Sequence, residues 1–188
     1  MPNVCVSHEV RRTSGCTQPL RGFGLLGVTL LFLLLWSSGV APASEVYFSP
    51  HGGVRQRLVR AIQDSRKTID IAMYNFTAAE LAEALYDAKA RGVHIQVVVD
   101  HEMAETGGSG VPGLRLNGIA IHSLGVPQQS LMHNKFAIFD NRLVMTGSYN
   151  WTYSAEHSNY ENLVVLDDPL LVGKFQQEFR RLWREAKE

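Results

Sequence analysis

Cysteine is nearly missing from this chain. Its 188 residues include two, Cys5 and Cys16, and both fall in an N-terminal stretch that reads as removable. Beyond that stretch there is no thiol, which excludes a disulfide framework and any Cys-based metal centre. Net charge is missing too: 18 Lys and Arg balance 18 Asp and Glu, so no global field draws the protein to a polyanion, and such a contact needs a local patch. There is no internal repeat and no low-complexity tract. His51, His94, His101, His122 and His157 stand singly without ligand spacing, so no metal and no cofactor are expected.

The first 43 residues run from Arg11, Arg12 and Arg21 into "GLLGVTLLFLLLW" and then "SSGVAPAS". A basic flank, a short apolar core and a small-residue Ala-x-Ala ending are the parts of a secretory signal. Cleavage is expected after Ala43, leaving a periplasmic or secreted chain that starts at Ser44. The alternative is an uncleaved membrane anchor, since no charge lies between Arg21 and Glu45. Arg11-Arg12 sits too far from the apolar core to read as a twin-Arg signal. Without Arg11, Arg12, Arg21 and Glu9, the remainder holds 15 basic and 17 acidic residues.

Residues 44–188 have the length of one domain. Val54, Leu58, Val59 and Ile62 recur at helical spacing, with Arg55, Arg57, Arg60 and Arg66 on the other faces. Those arginines read as a solvated face, with a DNA-tracking patch as the alternative. "TIDIAMYNF" and "VHIQVVVD" read as buried strands on either side of the helix "AAELAEALYDAKARG". Thr77 followed by Glu80 predicts a capping box at that helix's start, and Gly92 closes it. The segment "HEMAETGGSGVPG" reads as an irregular mobile or binding loop, whose Gly-rich part over 107–113 shapes a groove rim, with a phosphate cradle as the alternative that lacks a P-loop Lys; a short helical piece over 114–117 and the strand "IAIHS" follow. Strands over 135–139 and 143–146 form a hairpin about Asp140-Asn141, "ENLVVLD" is a further strand, and a C-terminal amphipathic helix opens at Pro169. The alternation of helix and strand predicts an α/β fold: a mixed, largely parallel β-sheet flanked by helices on both faces.

The chemistry concentrates in "HNKFAIFDNRLVMTGSYN". Strand alternation puts His133 and Lys135 on one face and Asp140 on the other. An imidazole that can attack, beside a cation that holds an anion in front of it, suits phosphoryl transfer. Gly147 allows close backbone approach, and Ser148 and Asn150 are neutral donors two residues apart. Six specified residues at fixed spacing arise by chance on the order of once in tens of millions of start points, at about one in twenty per position.

This run matches without a gap the H-x-K-x4-D-x6-G-S-x-N signature of the phospholipase D superfamily, which includes phospholipases, lipid synthases and nucleases. "YFSPHGG", "MYNFTAAELAEAL", "ARGVHIQVVVD" and "ENLVVLDDP" extend the resemblance to its small single-motif bacterial periplasmic endonucleases. The resemblance implies an α/β/α sandwich and a metal-independent endonuclease that works through a phosphohistidine on His133. It implies Lys135 and Asn150 on the phosphoryl oxygens with Ser148 and Gly147 assisting, and Glu161 orienting the histidine. Asp140, although part of the motif, is read as supporting the turn and neighbouring groups. The motif occurs once, because no other His has a Lys two positions on; the resemblance therefore implies a homodimer that shares one active site. The expected partner is nucleic acid, DNA and possibly RNA. A phospholipid headgroup is the alternative substrate, and an inactive nucleic-acid-binding module is a third reading.

Overall fold

A computed structural model describes residues 44–187. The signal or anchor expected over 1–43, with its cleavage point, lies outside the described residues. The β-branched and aromatic runs become strands β1 (Glu45–Ser49), β2 (Thr68–Met73), β3 (His94–Asp100), β4 (Ala120–Val126), β5 (Ser130–Leu131), β6 (Lys135–Phe139), β7 (Leu143–Gly147) and β8 (Glu161–Leu166). The helices are α1 (Val54–Asp64), α2 (Ala79–Ala90), α3 (His101–Glu105), α4 (Val111–Leu116), α5 (Tyr153–His157) and α6 (Pro169–Glu185). All eight strands join one sheet in the order β1-β8-β7-β6-β2-β3-β4-β5.

The sheet is mixed and carries helices on both faces, but it is not largely parallel. Only β2–β3 and β3–β4 pair in parallel. The pairs β1–β8, β2–β6, β4–β5, β6–β7 and β7–β8 are antiparallel. Parallel neighbours need a crossover that returns the chain to its starting end, and α2 and α4 supply it; the short turn after β6 reverses the chain instead. Strand β1 was not foreseen. It is held on the sheet edge by its ladder to β8 and by Glu45, which accepts two hydrogen bonds from the Arg57 guanidinium at 2.8 and 3.0 Å.

Alternation along the strands builds two cores. Val54, Leu58, Ala61 and Ile62 of α1 and Leu81 and Leu85 of α2 close over Ile69, Ile71, Val97, Val99 and Ala137. Val172, Phe179 and Leu182 of α6 cover Ala72, Val98, Phe136, Ile138 and Val144 on the opposite face. Burial of each large apolar side chain contributes about 1.5–3 kcal/mol, so both layers add to the stability of the sheet and its helices.

Two local readings need correction. The capping box is not made: the residue before α2 is Ala78, without a side-chain cap. The Thr77 and Ala78 N–H groups donate to the Trp151 carbonyl at 2.8 and 2.9 Å, and Glu80 turns to Arg55 at 2.9 Å. A tertiary partner has replaced the local one. The segment after Asp100 is also more regular than its glycines suggest. Asp100 Oδ1 accepts the Glu102 and Met103 N–H groups and starts α3, and Pro112 sits in the first turn of α4.

Asp70 is the one acid on the α6 face of β2, half-buried opposite Ile138. Burial pushes its carboxyl up to about 6, against the nearby charges of His94 and Arg180. A folded-state pKa above the unfolded value means that stability is fullest in acid and is lost as the pH rises through about 6. Asp70→Asn is therefore expected to stabilise the fold at pH 8 by about 1–2 kcal/mol, discounted for partial exposure, and to flatten that pH dependence in urea titrations.

Candidate active site

One end of the sheet gathers the motif. The ladders pair Met73 with Lys135, Phe136 with Thr146, Gly147 with Leu163 and Ser49 with Glu161, so the end of β2 and the starts of β6 and β8 lie side by side. This is also the carboxyl end of the parallel strands β2 and β3, where open α/β sheets place their ligands.

His133 stands two residues before β6 and is exposed. The segment leading to it is pinned by Asp100, whose Oδ2 accepts the Met132 N–H at 2.9 Å. Lys135, the first residue of β6, is half-buried and donates from Nζ to the His133 carbonyl at 2.9 Å. Burial draws the Lys135 ammonium toward its neutral form, and the charge of Glu161 opposes this. Glu161→Gln removes that opposition. The alkaline limb of any Lys135-dependent activity is expected to move to lower pH, a shift read from a kcat/KM profile.

Gly147, Ser148, Tyr149 and Asn150 form the second wall. A Cβ on Gly147 would meet the Asn162 carbonyl oxygen and lie 2.8 Å from its Oδ1, so the glycine is there to let β8 approach. Gly147→Ala is expected to cost about 2 kcal/mol or more in a denaturant melt. The Ser148 hydroxyl oxygen accepts the Asn162 N–H at 3.1 Å, which leaves its own proton to donate elsewhere. Tyr149 turns the other way, fully into the core, and its hydroxyl donates to the buried Glu156 carboxylate at 2.8 Å. Burial, then that bond, raises the phenol well above its ordinary range. Glu156 also accepts the Arg55 N–H at 3.2 Å, so α1, α5 and the Ser148–Asn150 turn are locked together. Asn150 is half-buried, and its Oδ1 is buried without a hydrogen-bond partner among the described residues.

The two candidate acids behave differently. Glu161 sits at the site, but its Oε1 accepts from Asn159 Nδ2 at 3.1 Å, and among the described residues no hydrogen bond joins it to His133. Asp140 lies at the far end of β6. It takes a left-handed backbone with Asn141 in the hairpin. Its carboxylate accepts the Arg66, Lys67 and Thr68 N–H groups at 2.9, 2.7 and 3.0 Å. The structure thus brings His133, Lys135, Gly147, Ser148, Asn150 and Glu161 to one end of the sheet and leaves Asp140 at the other.

Asp100, Glu156 and Asn162 were not singled out from the sequence. The signal for Asp100 was a strand ending in Asp just before a helical turn. Glu156 and Asn162 act through tertiary contacts, to Tyr149 and Arg55 and to Ser148, that leave no periodic or motif signal in the sequence. The Gly-rich rim is fastened to the site by the Gly110 N–H, which donates to the Phe76 carbonyl at 2.8 Å. Of the α1 arginines, Arg55 and Arg57 are engaged by Glu80, Glu156 and Glu45. A groove of about 650 Å³ opens beside Asn134, between His101, Met132 and Arg181. Its walls do not include His133, Lys135, Ser148 or Asn150.

The "cardiolipin synthase, PLD-like domain" family matches residues 58–183, which contain His133, Lys135, Asp140, Gly147, Ser148, Asn150 and Glu161. The chain belongs to the phospholipase D superfamily. Among its superfamily relatives, the mitochondrial cardiolipin hydrolase of Xenopus tropicalis is 35% identical over 129 residues, 69% of this chain and 60% of that protein. The human mitochondrial cardiolipin hydrolase is 36% identical over 137 residues, 72% of this chain and 54% of that protein. The chain thus spans a little over half the length of these curated relatives. Among solved structures, Nuc, a phospholipase D family member from Salmonella typhimurium, superposes with a TM-score of 0.71 at 32% identity. That match covers 78% of this chain and 97% of Nuc. NucT from Helicobacter pylori shares the fold with a TM-score of 0.73 at 24% identity, over 78% of this chain and 98% of NucT.

Proposed function

We propose that this superfamily member is a phosphodiesterase that cleaves nucleic acid through a covalent phosphohistidine, in an active site completed by a second copy of the chain. The observation that carries this reading is convergence: His133, Lys135, Ser148 and Asn150 meet at one end of the sheet, and the chain holds a single such set.

In the first step the His133 imidazole nitrogen forms a bond to phosphorus as the P–O bond to the leaving group breaks. The partner subunit's His133 gives its proton to the departing oxygen. In the second step that imidazole takes a proton from water, whose oxygen attacks phosphorus and releases His133. Lys135 and Asn150 hold the non-bridging oxygens, and the free Ser148 proton reaches another. Glu161 faces the same end of the sheet and serves as the acid that holds the His133 ring once substrate and partner are in place.

One imidazole must be neutral and its twin protonated in the same step, so a bell-shaped pH profile is expected. A flat profile between about pH 5 and 9 contradicts paired histidines.

The second reading keeps this chemistry and changes the substrate to a phospholipid headgroup. It is favoured by the mitochondrial cardiolipin hydrolases among the relatives. Both substrates are phosphodiesters, and the same four groups serve either. The deciding experiment offers the purified chain plasmid, single-stranded DNA, RNA and cardiolipin vesicles in parallel, all in excess EDTA. Cleavage of nucleic acid supports the first reading, and headgroup release without nuclease activity supports the second. Strict dependence on added magnesium overturns the mechanism common to both.

A further inference from the structure

Tyr74 is no part of the motif, yet it touches both of the motif's reactive members. Its ring centroid lies 4.5 Å from that of the His133 imidazole, with the planes inclined by 56°. The Lys135 Nζ sits 4.9 Å from the same centroid.

The backbone holds this ring firmly. Met73 pairs with Lys135 in the β2–β6 ladder, and the Tyr74 N–H donates to the Asn134 carbonyl at 2.9 Å. Just beyond, Phe76 bridges to Trp151, and the next two N–H groups donate to the Trp151 carbonyl. Tyr74 is therefore fastened on both sides to the two segments that carry the motif. The imidazole is not fastened: His133 is exposed, precedes β6, and among the described residues its ring makes no hydrogen bond. Glu161, the acid expected to steady it, is engaged with Asn159.

We infer that Tyr74 is a positioning residue, whose ring face sets the plane of the His133 imidazole and keeps the Lys135 ammonium beside it, so that both address one phosphoryl group. The inference rests on the phosphohistidine reading above. An aromatic face attracts a cation through its quadrupole, which favours the charged form of Lys135 in a half-buried place. The same face removes most rotations of the imidazole and leaves its attacking nitrogen free. Nothing in this requires the phenol hydroxyl, so ring and hydroxyl are separable by substitution.

The test compares wild type, Tyr74→Phe and Tyr74→Leu on bis(p-nitrophenyl) phosphate. It uses rapid-quench measurement of the covalent intermediate, steady-state kcat and KM, and thermal melts. Tyr74→Phe is expected to stay within about 3-fold of wild type. Tyr74→Leu is expected to form the intermediate about 30- to 100-fold more slowly, with KM moved by less than about 3-fold, because misplacing a reacting group by about an ångström has that scale of effect. Should Tyr74→Leu melt early, Tyr74→Met, ringless and near in volume, must show the same slowing. A leucine or methionine variant that forms the intermediate at the wild-type rate overturns the inference about Tyr74 alone. Equal loss in Tyr74→Phe also overturns it, by assigning the effect to the hydroxyl. A wild type that forms no intermediate at all overturns both the inference and the reading beneath it.

Discussion

His133→Ala is expected to lower kcat by about 10⁴-fold or more while leaving the fold intact, because it removes the nucleophile and the proton donor in one substitution. Its side chain is exposed and lies outside every strand, so the melting curve should shift by no more than about 0.5 kcal/mol allows. The same variant also tests the shared site. The paired scheme requires a His133 from each chain, so a wild-type subunit matched with an inactive one is lost to catalysis. At a wild-type fraction of about one tenth with random pairing, the activity per wild-type chain should fall about tenfold, by mass action alone. An active monomer would keep its full activity per chain in the same mixture. The measurement is a titration of His133→Ala into a fixed amount of wild type after denaturation and joint refolding.

Asp140→Ala is expected to do the reverse, lowering stability strongly and leaving the chemistry of the folded enzyme alone. Three backbone N–H groups of the α1–β2 link converge on that carboxylate. Bonds to a charged acceptor are the stronger kind, so their loss should cost about 2–4 kcal/mol in a urea titration. Burial by itself would raise the Asp140 pKa, but the Thr68, Arg66 and Lys67 N–H groups outweigh it and hold the carboxyl below its ordinary range. The sign follows: this stability is present above the ordinary carboxylate pKa and is lost as the pH falls through the lowered one. Because Asp140 stands at the opposite end of β6 from His133, kcat of the folded fraction should remain within about 2-fold of wild type. A loss of kcat comparable to that of His133→Ala, in a protein of undiminished stability, would make Asp140 part of the chemistry instead.

Much of this was legible in the amino-acid order because the deciding signals were local. The 135–139 and 143–146 strands and the Asp140-Asn141 turn were placed from alternation and turn chemistry, and β6 and β7 occupy those positions within one residue. Gly92, expected to close a helix, does so with φ near 89°. What failed depended on partners distant in sequence. Thr77 and Glu80 carry the local code for a capping box, yet Trp151 and Arg55 claim their groups first. Beyond the β6–β7 hairpin, the antiparallel pairs of the sheet were hidden because relative strand direction is set by which end of the sheet a connection returns the chain to, not by the composition of a strand. Parity put His133 and Lys135 on one face. It could not say that His133 would stand clear of β6, nor that Tyr74 would be the ring against which both rest. Ser49 and Asn159 illustrate the same limit: their hydrogen bond, at 3.1 Å, spans most of the domain's sequence and left no trace in either segment.

The most direct test of the central claim is the identity of the covalent intermediate. Wild-type protein is mixed with substrate in excess EDTA, quenched in alkali within milliseconds, and digested for mass spectrometry. The expected result is an acid-labile phosphoryl adduct on His133, absent from His133→Ala, at up to one adduct for each pair of chains. An adduct on another residue, or full turnover with none on His133, would contradict it.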